Sequence, residues 1–433
     1  MRHRASLTSP ASRLARTLAV VTPVTAAILF VGGAASASEP DDDIGTRPAL
    51  EKAPAAPTPA ARMADVGGGL FEDGGRARAV DAPLAKDPPG DWAVMHAGLR
   101  PHLGTFGGIG TFALAHARTE RFYGVFSLSA IRNDAGTHVG VAQIALGRNL
   151  SDNFAGGLQV SLTENRARDF VGLGQTTLGY NRAGEATAIW QLAGYNRARV
   201  FHGALQLGGY NRADESFVGV VQVGGYDHAQ KHFTGLAQIG VVSQTGKDLL
   251  GEGSSHDGRF AGLAQIGVLS ATDGNFYGAL QIGGGAYTSG EHVGLAQIGA
   301  ATYAKKFSGV MQLGAATISE RSIGAQIGGV TMAFEEHDGL QIGALANYAK
   351  SVEGAQVGVA NLAEKVKGVQ IGVFNHTKSL RGVQIGLANH AEDGVLPWTS
   401  ILNMGFGDGD GGGDDDMDSR PKAAARRAGP SRY

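Results

Sequence analysis

The body of the chain alternates apolar with small or polar positions at a period of two. In Gly368-Val-Gln-Ile-Gly-Val-Phe-Asn375, Val369, Ile371 and Val373 fall on one face of an extended strand. Gly368, Gln370, Gly372 and Phe374 fall on the other. Charged and turn-forming residues gather in short connectors such as Glu364-Lys365, Ser319-Glu320-Arg321, Lys378-Ser379-Leu380-Arg381 and the recurrent Tyr-Asn-Arg-Ala at 180, 195 and 210. No segment of the body sustains a 3.6-residue period. The pattern predicts an all-β fold of strands joined by tight turns.

One glutamine marks each strand: Gln143, Gln159, Gln175, Gln191, Gln206, Gln222, Gln238, Gln265, Gln281, Gln297, Gln312, Gln326, Gln341, Gln356, Gln370 and Gln384. The spacing is 14 to 16 residues except between Gln238 and Gln265, where 27 residues mark one inserted loop. From Gln238 onward, Gln312 apart, these are the candidate lumen or ladder residues. Lys247, Asp248, Glu252 and His256 are the candidates for an exposed loop. Phe122 to Ile131 reads as a degenerate unit without the glutamine, and Gly107 to Ala115 as another.

Proline delimits the folded body. Eight of the 14 prolines lie between Pro40 and Pro89, and none lies between Pro101 and Pro397, as expected where backbone donors are needed in a ladder. Upstream, Arg2, Arg4, Arg13 and Arg16 precede an apolar run from Leu18 to Val31, followed by the small residues Ala35-Ser36-Ala37. That is the form of a cleaved export signal, and the run is short for a helix crossing a bilayer. The expected organisation is a signal peptide over residues 1–37, a disordered Pro/Ala-rich linker over 38–91, a repeat β domain over 92–406 and a disordered Asp/Gly-rich and basic tail over 407–433.

Two architectures can use such a unit. A β-solenoid would stack coils of 14 to 16 residues and align the glutamines in a ladder. An outer-membrane β-barrel of about 16–18 strands would turn the apolar faces, including Ile371 and Ile385, toward lipid and the glutamines toward a lumen. Segments such as Gly262-Leu-Ala-Gln-Ile-Gly-Val-Leu269 carry no charge on either face, and a solenoid should show charge to water. Phe201, Phe217, Phe233, Phe260 and Phe307 at strand starts, with Tyr180, Tyr195, Tyr210 and Tyr226 near strand ends, fit interfacial girdles; packing at coil corners is the competing explanation. The barrel is therefore the expected architecture, with the solenoid as its alternative.

Composition narrows the chemistry. The chain has no Cys, which removes disulfides, thiolate metal sites and thiol nucleophiles. Its formal net charge of -2 provides no field for nucleic acid. The glycine fragments Gly172-Leu-Gly174 and Gly107-Gly108-Ile-Gly110 lack the helix and ribose-binding acid of a nucleotide loop. His228 with His232, and Glu335-Glu336-His337-Asp338, read as turns kept soluble by polar side chains rather than as metal ligands. No catalytic, cofactor or metal site is expected, and the chain reads as non-enzymatic.

Gly354-Ala-Gln-Val-Gly-Val-Ala-Asn-Leu-Ala363, the unit at 368–375 and Gly382-Val-Gln-Ile-Gly-Leu-Ala-Asn-His-Ala391 resemble the tandem G-x-Q-[IV]-G-[LV]-x-N-x-A units of surface-repeat proteins from double-membraned bacteria, a family without assigned chemistry. The resemblance covers roughly residues 120 to 391, and units from 140 to 315 depart from it by reading Gly-x-x-Gln. It implies an envelope location and no catalytic residue. The functional expectation is a structural or pore-forming envelope protein at the outer membrane or cell surface, in contact with outer-membrane lipid. The alternative is a periplasmic or surface solenoid whose apolar face is covered by a protein partner or a second copy.

Overall fold

A computed structural model describes residues 91–247 and 258–407. The export signal, residues 38–90, the tail beyond residue 407 and loop residues Asp248, Glu252 and His256 lie outside them. The described residues form an all-β structure without helix: a β-solenoid of about 18 coils. Successive coils pair parallel and in register, so that Gln143 lies beside Gln159, Gln222 beside Gln238 and Gln370 beside Gln384. This overturns the barrel expectation. A barrel of this kind joins antiparallel strands through hairpins, whereas here each connector carries the chain round to the next coil and sets like upon like. At about 4.8 Å per coil the stack is roughly 85 Å long.

Each coil is flattened into two sides. The glutamine segment is short and bounded by bends, as at Gly108-Ile109 and Leu114-Ala115 or at Gly124-Val125 and Ala130-Ile131. The longer side carries the remaining inward residues. The Tyr-Asn-Arg-Ala segments, expected as connectors, are strand on this longer side: Asn181 and Ala183 point inward and are buried, while Tyr180 and Arg182 point outward. The two sides are close enough for Gln281 Nε2 to donate across the coil to the Tyr287 carbonyl at 3.1 Å. The degenerate units are full coils, with Thr111 and Ser127 in the glutamine position and their hydroxyls 2.9 Å apart.

The phenylalanines stack inside rather than forming girdles. Phe106, Phe122, His138, Phe154 and Phe170 make one run of rings, and Phe201, Phe217, Phe233, Phe260, Phe276, His292 and Phe307 make a second, with neighbouring centroids 4.5 to 5.4 Å apart. Ala186 separates the runs, and Ser322, His337, Val352, Val366 and Leu380 continue the column. Rings repeating at the coil spacing bury their faces against each other. Tyr180, Tyr195, Tyr210 and Tyr226 form a separate stack on the longer side, running from exposed Tyr180 to buried Tyr226.

The two repeat spellings have a geometric cause. The inward residue preceding each glutamine lies five positions before it up to Phe307 and Gln312, and four positions before it from Ser322 and Gln326 onward. In the shorter coils the glycine two before the glutamine takes a positive φ: 120° at Gly324, 131° at Gly339, 136° at Gly354, 141° at Gly368 and 145° at Gly382. A Cβ at Gly368 would collide with the carbonyl oxygen of Gly354 one coil below. The strand Trp398–Phe406 closes the C-terminal edge by pairing antiparallel with Ser379–Ala391.

Gly368→Ala is expected to lower unfolding stability by about 2–4 kcal/mol, from backbone strain and overpacking together. Gln370→Arg, which a lumen-facing position would tolerate, should cost at least about 3 kcal/mol because the cation would be buried without a partner. Denaturant unfolding of both variants checks these values, and near-wild-type stability of Gln370→Arg would contradict a dry interior.

Candidate functional site

The glutamines occupy the centre of the interior and are fully buried. Fifteen hydrogen bonds of 2.7 to 3.0 Å link all sixteen, each Nε2 donating to the Oε1 of the coil before it. The ladder crosses the insertion without interruption, since Gln265 donates to Gln238 at 2.9 Å. Its C-terminal acceptor is satisfied by Asn403 Nδ2 from the closing strand, 3.2 Å from Gln384 Oε1. These residues line no lumen. They are a structural spine that fixes register, because a coil slipped by one residue would leave two amides unpaired in a dry interior.

A second ladder is not marked by the glutamine spacing. Asn149, Asn165, Asn181, Asn196 and Asn211 are buried and linked by Nδ2 to Oδ1 bonds of 2.8 to 3.0 Å, each donating to the coil after it. The amide dipoles of the two ladders therefore oppose each other. The asparagine ladder stops at Asp227, which accepts from Asn211 at 2.7 Å, and resumes from Asn347 to Asn389. Asn itself was visible in the recurrent Tyr-Asn-Arg-Ala, but its inward direction was hidden by reading that motif as a turn.

Asp227 is the anomalous rung. It is fully buried, its Oδ2 has no hydrogen-bond partner, and burial pushes its carboxyl up to about 7 against the opposing pull of donors from Asn211 and the Gly224 backbone. Earlier rungs use Nδ2 to donate as well to a carbonyl of the next coil, as Asn196 does to Leu207 and Asn211 to Val223. A neutral carboxyl can offer such a donor and a carboxylate cannot. Around it, Tyr226 donates to Gln244 Oε1 at 3.1 Å, and His228 Nε2 lies 2.8 Å from the Gly246 carbonyl, so residues 226–228 hold the root of the inserted loop. Lys247, at that root, is exposed.

The other titratable candidates do not converge. His228 is buried, whereas His232 is exposed. In Glu335-Glu336-His337-Asp338 the imidazole points inward with Nδ1 2.6 Å from Ser322 Oγ, while Glu335 points outward and pairs with Arg321 at 2.8 Å. Burial holds His337 down to about 4 and His138 and His292 down to about 3. Among the described residues no group of three or more His, Asp or Glu is placed to hold a metal. A shallow groove on the surface is lined by Ile131, Leu162, Leu178, Arg148, Glu164 and Tyr180.

The outside is divided by charge. Ion pairs between adjacent coils, including Arg199 with Glu185 and Glu215, Lys367 with Glu353 and Lys378 with Glu364, occupy the longer side and its margins. The glutamine side is different: from two residues before to three residues after each glutamine, none of the sixteen units contains Asp, Glu, Lys or Arg. Outward side chains there include Val141, Ile189, Leu236, Leu263, Leu295 and Val310, each at least half exposed. Ile371 and Ile385, expected to face lipid, belong to this side and are 41% and 42% exposed. No family model, no curated protein and no solved structure matches this chain.

Asp227→Asn is expected to stabilise the protein at neutral and alkaline pH and to be nearly neutral near pH 4. A carboxyl whose folded value is raised from 3.8 to about 7 contributes its stability below about 4 and loses it progressively as pH rises through 7. The gain above pH 7 should be about 2–4 kcal/mol. Thermal unfolding of both proteins between pH 4 and 8 measures it, and a pH-independent difference would refute the neutral-acid assignment.

Proposed function

We propose that this chain is a non-enzymatic scaffold of the cell envelope, exported to the periplasm or cell surface, that works by association along its uncharged side. The observation that carries this reading is the absence of charge along that side in all sixteen glutamine units. Soluble monomers rarely leave contiguous apolar patches larger than a few hundred Å² in water, and this one is several times that size. A solenoid interior built for uniform stacking suits a scaffold, because every added coil extends the same outer surface. The signal-like residues 1–37 and the resemblance to envelope surface-repeat proteins support the location. A pore-forming reading has lost its geometric basis, since the interior is filled by the two amide ladders and the ring column.

Fractionation and native sizing test the proposal together. The chain is expected outside the cytoplasm, in an assembly larger than a monomer, and Leu236→Glu combined with Leu263→Glu should reduce it to a monomer while leaving the melting temperature within a few degrees. Cytoplasmic recovery, or an assembly indifferent to those two charges, would overturn it.

A further inference from the structure

We infer that the occupant of the uncharged side is a second copy of this chain, packed side to side as a two-fold dimer; the inference rests on the scaffold reading above. The side is about six residues wide and sixteen coils long, which at the dimensions of β structure is roughly 20 Å by 75 Å, or about 1,500 Å² per copy. A stable specific interface needs about 800 Å² per partner, and obligate dimers commonly bury more than twice that in total. The strip therefore exceeds what a dimer requires.

Its relief favours self-pairing. Branched side chains such as Val220, Leu236 and Leu263 stand in one column and project outward. Ile239, Ile266 and Ile282 form a second column on the same side, and the small Ala237 and Ala264 lie between the two columns. Ridges and furrows thus run along the stack and repeat at the coil spacing. A second copy has the same repeat, so its ridges can enter these furrows over the whole length, as the inner faces of two packed sheets interdigitate. An isologous arrangement also closes on itself and leaves no strip exposed.

A lipid surface fits less well. Proteins that lie on anionic membranes flank an apolar face with lysine and arginine. At the margin of this strip, three residues before the glutamine, the last four coils carry Asp338, Glu353, Lys367 and Arg381, two of each sign. That margin offers no net attraction to anionic headgroups, and no charge within the strip would be stranded by pairing with itself.

The test is sedimentation of the purified exported chain in detergent-free buffer, alone and with phosphatidylcholine or phosphatidylglycerol vesicles. We expect a species of twice the chain mass that does not float with either vesicle. Leu236→Glu should raise the dimer dissociation constant at least about a hundredfold, because each copy would bury an unpaired carboxylate. Ser216→Glu, outside the strip, should not change it. A wild-type monomer that floats with vesicles overturns the inference in favour of lipid. A wild-type monomer that ignores vesicles also overturns it, and if the cellular assembly persists, the scaffold reading stands with a different partner. A dimer unaffected by Leu236→Glu places the contact elsewhere and likewise refutes the proposal.

Discussion

The stacking of buried glutamine amides is the constraint on which the rest of the molecule depends. A primary amide buried away from water must both donate and accept, and a column of identical amides at the coil spacing satisfies each through its neighbours. From Gln143 to Gln384 the arrangement places one glutamine per coil, in the same place and facing the same way, and in two coils before them the hydroxyls of Thr111 and Ser127 hold that position. Once that is met, every other inward position is also repeated in register, and the ring column and the asparagine ladder become possible. The insertion after Lys247 is compatible because it leaves and re-enters at the coil edge, where Gly246 and Gly258 are adjacent, and so Gln238 and Gln265 remain consecutive rungs.

Opposed ladders also explain a local exception. The glutamines donate toward the N-terminal end and the asparagines toward the C-terminal end, so each ladder needs an acceptor beyond its last amide: Gln143 donates to the Asn133 carbonyl, Asn389 to the Gly386 carbonyl and Asn211 to Asp227. In the coil after Asp227, Ser243 takes the column position and its hydroxyl donates to the Ile266 carbonyl. The Asp227 carboxyl accepts from Asn211 and, kept neutral by burial, carries an O–H where the earlier rungs carry an amide N–H. The cost is a group whose charge the interior resists.

Much of this was legible in the residues. The all-β class follows from the two-residue alternation, and the coil length and the position of the insertion follow from the glutamine spacing. The choice between barrel and solenoid was not, because the feature that distinguished them was read with the wrong sign. Missing charge at Gly262 to Leu269 suggested lipid, whereas one side of a flattened coil can be apolar while the other side carries the ion pairs. Direction within a coil was equally hidden: Phe201 and Tyr195 are both aromatic and recur at the same interval, yet one is inside and the other outside, and only the bends around the glutamine segment decide which. Likewise, the change from Gly-x-x-Gln to Gly-x-Gln looked like weakened similarity. It is a one-residue shortening of the path from the ring column to the spine, accommodated by positive φ at glycine.

The two sides of the coil answer to different length dependences. Each added coil buries one more glutamine, one more ring or aliphatic side chain and one more rung of backbone bonds, so the stability of the interior grows by neighbour contacts and remains local. The uncharged side grows with it, but the effect of the proposed association is collective, since it would bring all coils of the strip out of water at once. Few coils would leave a patch of ordinary size that water tolerates. At sixteen glutamine units the strip is an interface in extent before any partner is considered. The length of the repeat array thus sets the extent of the uncharged side, and the register imposed by the amide ladder is what aligns so many apolar side chains into one surface.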